Sequence, residues 1–153
     1  MTRRTKSKIN KMKKIKPLNL VIVSLFSFLL ASCNITANTK RLNRTEDKQA
    51  AEEVTSLLYS LLENKAYSKT HDLFSKDFWK VTKASDLDTL LNNTEEKLGK
   101  IKSKKVETWE TSIISGTDPS SVYLLVYNVT REKYNSVETI KLTKEGDRIK
   151  IYS

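Results

Sequence analysis

Cysteine and histidine occur once each in these 153 residues, proline twice and glycine three times. A single cysteine, Cys33, excludes an internal disulfide. With one histidine beside it, the common Cys/His zinc sites are excluded too, and no metal site is expected. The three glycines, Gly99, Gly116 and Gly146, all fall where one pattern of residues gives way to another. None is left for a phosphate-cradling loop, and no G-x-S-x-G elbow exists. Any Ser-His-Asp arrangement would have to use His71, whose neighbour Asp72 points about 100° away around a helix. His71 therefore reads as a lone surface histidine. Internal repeats and low-complexity tracts are also missing.

Long apolar runs are absent as well, with one short exception. Leu20 to Ala31 (LVIVSLFSFLLA) is apolar over twelve residues. As a helix it would reach about 18 Å, against about 30 Å of bilayer hydrocarbon. That is short for a permanent span and suits a cleavable export signal. Ahead of it lie eight Lys or Arg (Arg3, Arg4, Lys6, Lys8, Lys11, Lys13, Lys14, Lys16) and no acid, the charge that holds such a segment's N-terminus on the cytoplasmic face. Thr5-Lys6-Ser7 after Arg3-Arg4 lacks the apolar pair of a twin-arginine signal. Met12 opens a signal of more usual proportions (MKKIKPLN), and a start there would leave the mature chain the same.

Leu30-Ala31-Ser32-Cys33 closes the run and resembles the lipobox of bacterial lipoprotein signals. The resemblance implies cleavage between Ser32 and Cys33, with diacylglycerol on the Cys33 thiol and a further acyl chain, commonly palmitate, on its amine. Membrane attachment would then run through that covalent lipid, with no other cofactor. Residues 1–32 would be signal peptide and 33–44 the lipidated Cys and a polar tether. A single domain would occupy 45–153, in the bacterial cell envelope. Asn34 rather than Asp after the Cys favours the outer membrane, facing the periplasm, in a Gram-negative host.

Cleavage changes the charge. The whole chain is +10, from 28 basic and 18 acidic residues; the signal takes eight bases and no acid, leaving +2. Nucleic-acid binding needs a clustered excess in the working domain, so nucleic acid is not an expected partner.

Past the tether, periodicity predicts an α+β domain of three N-terminal helices packed on an antiparallel sheet of about four strands. Ala50, Val54, Leu57, Leu58, Leu61 and Leu62 mark one helical stripe over 45–63, with Thr45 as N-cap. A second helix over 66–80 buries Tyr67, Thr70, Leu73, Phe74 and Phe78, and Ser75 is a candidate break. A third follows Ser85, read with Asp88 as a capping box, and buries Leu87, Leu90, Leu91 and Leu98 before Gly99 ends it. From Ile101 the period becomes two, predicting strands over 101–114, 121–131, 136–144 and 148–152. The second is apolar on both faces, which places it inside the sheet and at least partly covered on both sides.

Three helices, Leu98-Gly99-Lys100 and a long-stranded meander resemble the nuclear transport factor 2-like cone fold. The likeness extends through Tyr123 to Tyr127, Glu138-Thr139-Ile140, and Glu145-Gly146 leading to Ile149-Lys150-Ile151-Tyr152. Arg148 departs from the Trp expected before the last strand. The resemblance implies a curved sheet wrapped on helices with a pocket between, and small exported bacterial domains of this kind are the closest likeness.

Glu138 alternates with Ile140 and Leu142, so it faces the apolar side of its strand, where a carboxylate can serve as a base. Tyr59, Trp79, Trp109 and Tyr127 are candidates to line a pocket. Lys100, Lys102 and Lys104 alternate into one basic strand face. These residues support a non-catalytic module binding a small apolar ligand or another envelope protein. The alternative is a small isomerase- or hydratase-like enzyme using Glu138.

Overall fold

The computed structural model describes residues 38–153. The expected signal, Leu30-Ala31-Ser32-Cys33 and the first tether residues lie outside them. The fold is α+β, with helices against one antiparallel sheet of five strands in the order β1-β2-β3-β4-β5. These are β1 Thr39–Leu42, β2 Ile101–Ser115, β3 Ser120–Arg131, β4 Ser136–Glu145 and β5 Arg148–Ile151. The helices are α1 Thr45–Glu63, α2 Tyr67–Thr70, α3 Lys76–Val81 and α4 Ala84–Leu98, with a 3-10 turn His71–Leu73 after α2. No helix among the described residues is long and apolar enough to cross a membrane.

The strand β1 corrects the expected tether. Thr39 to Leu42 pair antiparallel with Ser115 to Ser112 although every one of the four is exposed. Backbone hydrogen bonds hold them there, and these leave no apolar signature. Asn43 then turns the chain at φ +47, a left-handed conformation that asparagine tolerates. Its N–H donates to Thr111 O at 2.9 Å and its side-chain oxygen accepts from Thr111 N at 2.9 Å.

Along α1 the buried positions are Ala51, Thr55, Leu58 and Tyr59, one face at helical spacing. Leu57, expected in that stripe, is exposed. Arg44, not Thr45, occupies the N-cap and makes no side-chain cap bond. The single second helix is two: α2 and its 3-10 turn stop at Phe74, whose extended backbone leads to Ser75. There the Ser75 hydroxyl accepts the Phe78 N–H at 3.2 Å and opens α3. The third helix starts two residues early, because Lys83 is the N-cap of α4 and Ser85 bonds Asp86 instead. Gly99 ends it at φ +83.

One sheet face carries the core. Ile113, Tyr123, Leu125, Tyr127, Val129, Ile140, Leu142 and Ile151 pack there with Ala51, Leu58 and Tyr59 of α1. Strand β3 is central, as expected, and its second face is partly covered: Val122 is exposed while Leu124 and Val126 are half-buried.

Register shifts between Ile101 and Ser103 and between Val106 and Thr108 each add one residue to β2. The helix-facing positions therefore run Ile101, Lys104, Val106, Trp109, Thr111, Ile113 instead of every second residue. Lys104 leaves the expected basic face. Its ammonium sits 5.1 Å over the Tyr59 ring and 3.4 Å from Glu63 Oε1.

Candidate functional site

A cavity of about 350 Å³ lies between α1, α2, α4 and the end of the sheet where β3 turns into β4. Its apolar wall is Leu62, Leu90, Leu91, Leu98 and Ile101; Tyr67, Glu95, Glu63 and Lys100 bring polar groups, and Arg131, Ser136 and Glu138 close the sheet end. Leu90 was expected to be buried. It is 61% exposed and contributes to this wall. A wider cleft of about 1020 Å³ lies by the turns at Gly116 and Gly146, with Arg41, Asp47, Tyr123 and Lys144 among its mixed-charge lining.

The sheet places the polar end of the smaller cavity. Tyr127, Val129 and Arg131 share the inward face of β3, and Tyr127 is the register partner of Glu138. The Arg131 side chain is 5% exposed and donates Nη2–H to Glu138 Oε1 at 2.7 Å. Its Nε–H points to Ser136 Oγ and its Nη1–H to Gly99 O, both at 3.4 Å. Glu138 also accepts from Ser136 Oγ at 2.8 Å and, on Oε2, from Tyr59 OH at 2.9 Å. Three donors therefore hold a carboxylate that has about four acceptor sites.

Burial first, and then the Glu138 charge, push the Tyr59 hydroxyl far above its usual range. Tyr127 is raised by burial as well, with its hydroxyl 2.7 Å from Thr55 Oγ1 and its ring 5.2 Å from that of Tyr59. At the mouth, Tyr67 OH donates to Glu95 Oε2 at 2.6 Å; burial, then that bond, push Tyr67 up to about 12. The same bond, followed by Lys65 at 3.1 Å, holds Glu95 below the ordinary carboxylate range.

Of the residues expected at a site, Glu138 lines the cavity and the four aromatic candidates do not. Tyr59 and Tyr127 are core residues behind it, and only Tyr59 reaches Glu138. Trp79 packs edge-on against Phe74, Phe78 and His71. Trp109 is half-buried against the core with Lys48 5.9 Å over its ring. Aromatic side chains this large fill the sheet–helix interface before they can edge a pocket.

His71 has a partner after all. Its Nε2 lies 2.8 Å from Asp88 Oδ1, on α4, and joins the 3-10 turn to that helix. No serine, threonine or cysteine joins this pair through a hydrogen bond among the described residues, so it lacks a nucleophile. Nor do three His, Cys, Asp or Glu side chains converge on a metal position among them.

Arg131 was missed, although its signal was present: the alternation that turns Tyr127 and Val129 inward turns Arg131 inward two residues later. Tyr67, Glu95 and Lys100 had no such signal, because helix packing alone brings them together. The chain matches no protein-family model, no curated protein and no solved structure.

Proposed function

We propose that the folded domain is a non-catalytic binding module for a small, mainly apolar ligand, fastened to a bacterial envelope membrane through a lipidated Cys33. The observation that carries the binding half is the cavity of about 350 Å³ walled by Leu62, Leu90, Leu91, Leu98 and Ile101. Ligand sites are typically concave and apolar with a few fixed polar groups, and run from roughly 300 to 1,000 Å³. Helices laid on one face of an antiparallel sheet, with a cavity between, are also what the nuclear transport factor 2-like resemblance implies.

The contacts of Glu138 weigh against the isomerase- or hydratase-like alternative. A general base needs a free lone pair within reach of the proton it removes. Here three donors, one of them a guanidinium at 2.7 Å, take three of its about four acceptor sites and tie the carboxylate into a structural ion pair, leaving one site for a proton to be removed. Fold resemblance alone carries no activity.

The lipobox resemblance supports the anchor. Each buried methylene contributes about 0.8 kcal/mol, so two or more acyl chains hold a protein to a bilayer firmly. With β1 beginning at Thr39, only residues 34–38 separate Cys33 from the sheet, a reach of about 20 Å when extended.

Two measurements test the proposal. Intact mass of the protein from its native host should give a chain beginning at lipidated Cys33; an unmodified chain retaining residues 1–32 overturns the anchor. The mature chain with Cys33→Ser should bind alkyl compounds, and Thr94→Trp, in the cavity wall, should abolish that binding without lowering the unfolding midpoint. Unchanged binding by Thr94→Trp places the ligand elsewhere and sinks the cavity as the site.

A further inference from the structure

The hydrogen-bonding and ionic capacity left over around the cavity lies on the donor side. Each of its three carboxylates already has a cation. Glu138 is 2.7 Å from Arg131, Glu95 is 3.1 Å from Lys65 and Glu63 is 3.4 Å from Lys104. Glu138 and Glu95 take tyrosine hydroxyls in addition. A cationic ligand would find no acid free to receive it.

The bases are less fully used. Lys100 lines the cavity and makes no ion pair among the described residues. Its charge acts on Glu95, which Tyr67 and Lys65 already hold, and its backbone N–H donates to Glu132 Oε2 at 3.3 Å. Of the five N–H donors of a guanidinium, Arg131 directs three at Glu138, Ser136 and Gly99. Two remain.

We infer that the cavity takes a single-chain monocarboxylate, with its alkyl part along the leucine wall and its carboxylate at Lys100. The inference rests on the ligand-binding reading above and goes further by fixing the charge of the head group. A cavity of about 350 Å³ lies at the small end of the range for ligand sites, which suits a single medium-length chain such as a ten-carbon one. A neutral head would make no ion pair with the exposed Lys100 ammonium, and an ammonium head would be repelled by it.

Decanoate, 1-decanol and decylammonium, titrated against the mature Cys33→Ser chain by calorimetry, separate head-group charge from chain burial. Lys100 is exposed and water screens an ion pair there, so decanoate should bind a few-fold tighter than either of the others. Lys100→Met keeps the length of the stem and removes the charge. It should bring decanoate close to decanol, both measured on the variant, while leaving the unfolding midpoint unchanged.

Decanol or decylammonium binding as tightly as decanoate overturns the inference and leaves the binding module standing. So does a decanoate preference that survives Lys100→Met. If none of the three chains binds, the module reading falls and takes the inference with it.

Discussion

Arg131 carries its charge into the cavity end of the sheet with 7% of its surface exposed, and Glu138 makes that placement tolerable. Removing one member of such a pair costs more than removing both, because the survivor stays desolvated without compensation. Arg131→Met should therefore lower stability by about 3 kcal/mol, the low end of the usual range because the Glu138 side chain is 25% exposed. Adding Glu138→Gln to that variant should recover most of the loss in urea denaturation, because the amide removes the charge and its oxygen can still accept from Tyr59. Additive losses in the pair would show that Arg131 acts through packing of its stem alone. Thr111 makes a contrasting case: it is 2% exposed and its hydroxyl has no hydrogen-bond partner among the described residues. A buried hydroxyl without a partner is a net cost, so the near-isosteric Thr111→Val should hold or raise stability, by up to about 1 kcal/mol. A loss above that would reveal a partner for the hydroxyl.

The turn from α4 into β2 depends on Gly99. At φ +83 an L side chain is strained, and a Cβ there would stand 2.8 Å from Glu132 Cβ and 3.0 Å from Lys133 N. The obstruction is partly backbone, so Gly99→Ala must shift the β3–β4 hairpin relative to the Gly99 carbonyl that Arg131 Nη1 faces. We expect a loss of about 2 kcal/mol or more in thermal or urea unfolding, from left-handed strain plus the clash; an unchanged midpoint would contradict the geometry. Gly99 was legible as a helix stop, and so were the bounds of α1 and the four later strands, because apolar period and turn residues mark them. Strand β1 was not, since Thr39-Lys40-Arg41-Leu42 joins the sheet through its backbone and has no buried face. Neither were the bulges of β2: one added residue leaves composition unaltered yet turns Lys104 from the solvent face to Tyr59. The Glu138 end of the cavity followed from strand alternation. Its helical side did not, because the pairing of Tyr67 with Glu95 joins residues of two different helices.

At the scale of the whole molecule, the tyrosines make the fold sensitive to alkali. Tyr59, Tyr67, Tyr123 and Tyr127 all have hydroxyls raised above their ordinary range, with burial as the first cause in each. In the unfolded chain they ionise near pH 10. Their contribution is thus complete below about pH 10 and is lost as pH climbs through the raised native values, where only the unfolded chain has released its protons. Tyr59, fully buried, lowers stability by roughly 1.4 kcal/mol per pH unit in that window, and Tyr127 adds to the loss in the same direction. Tyr67, raised to about 12, adds a smaller share because it is only half-buried. A domain of ordinary stability, about 5–15 kcal/mol, should therefore lose much of it between pH 10 and 12. Urea midpoints by circular dichroism should be level from pH 8 to 9.5 and then fall steeply. Tyr127→Phe should make that fall shallower, since it removes one titrating group and leaves the Tyr59–Glu138 bond in place. A flat midpoint to pH 11.5 would mean that these hydroxyls reach solvent in the native state, contrary to the packing of α1 on β3.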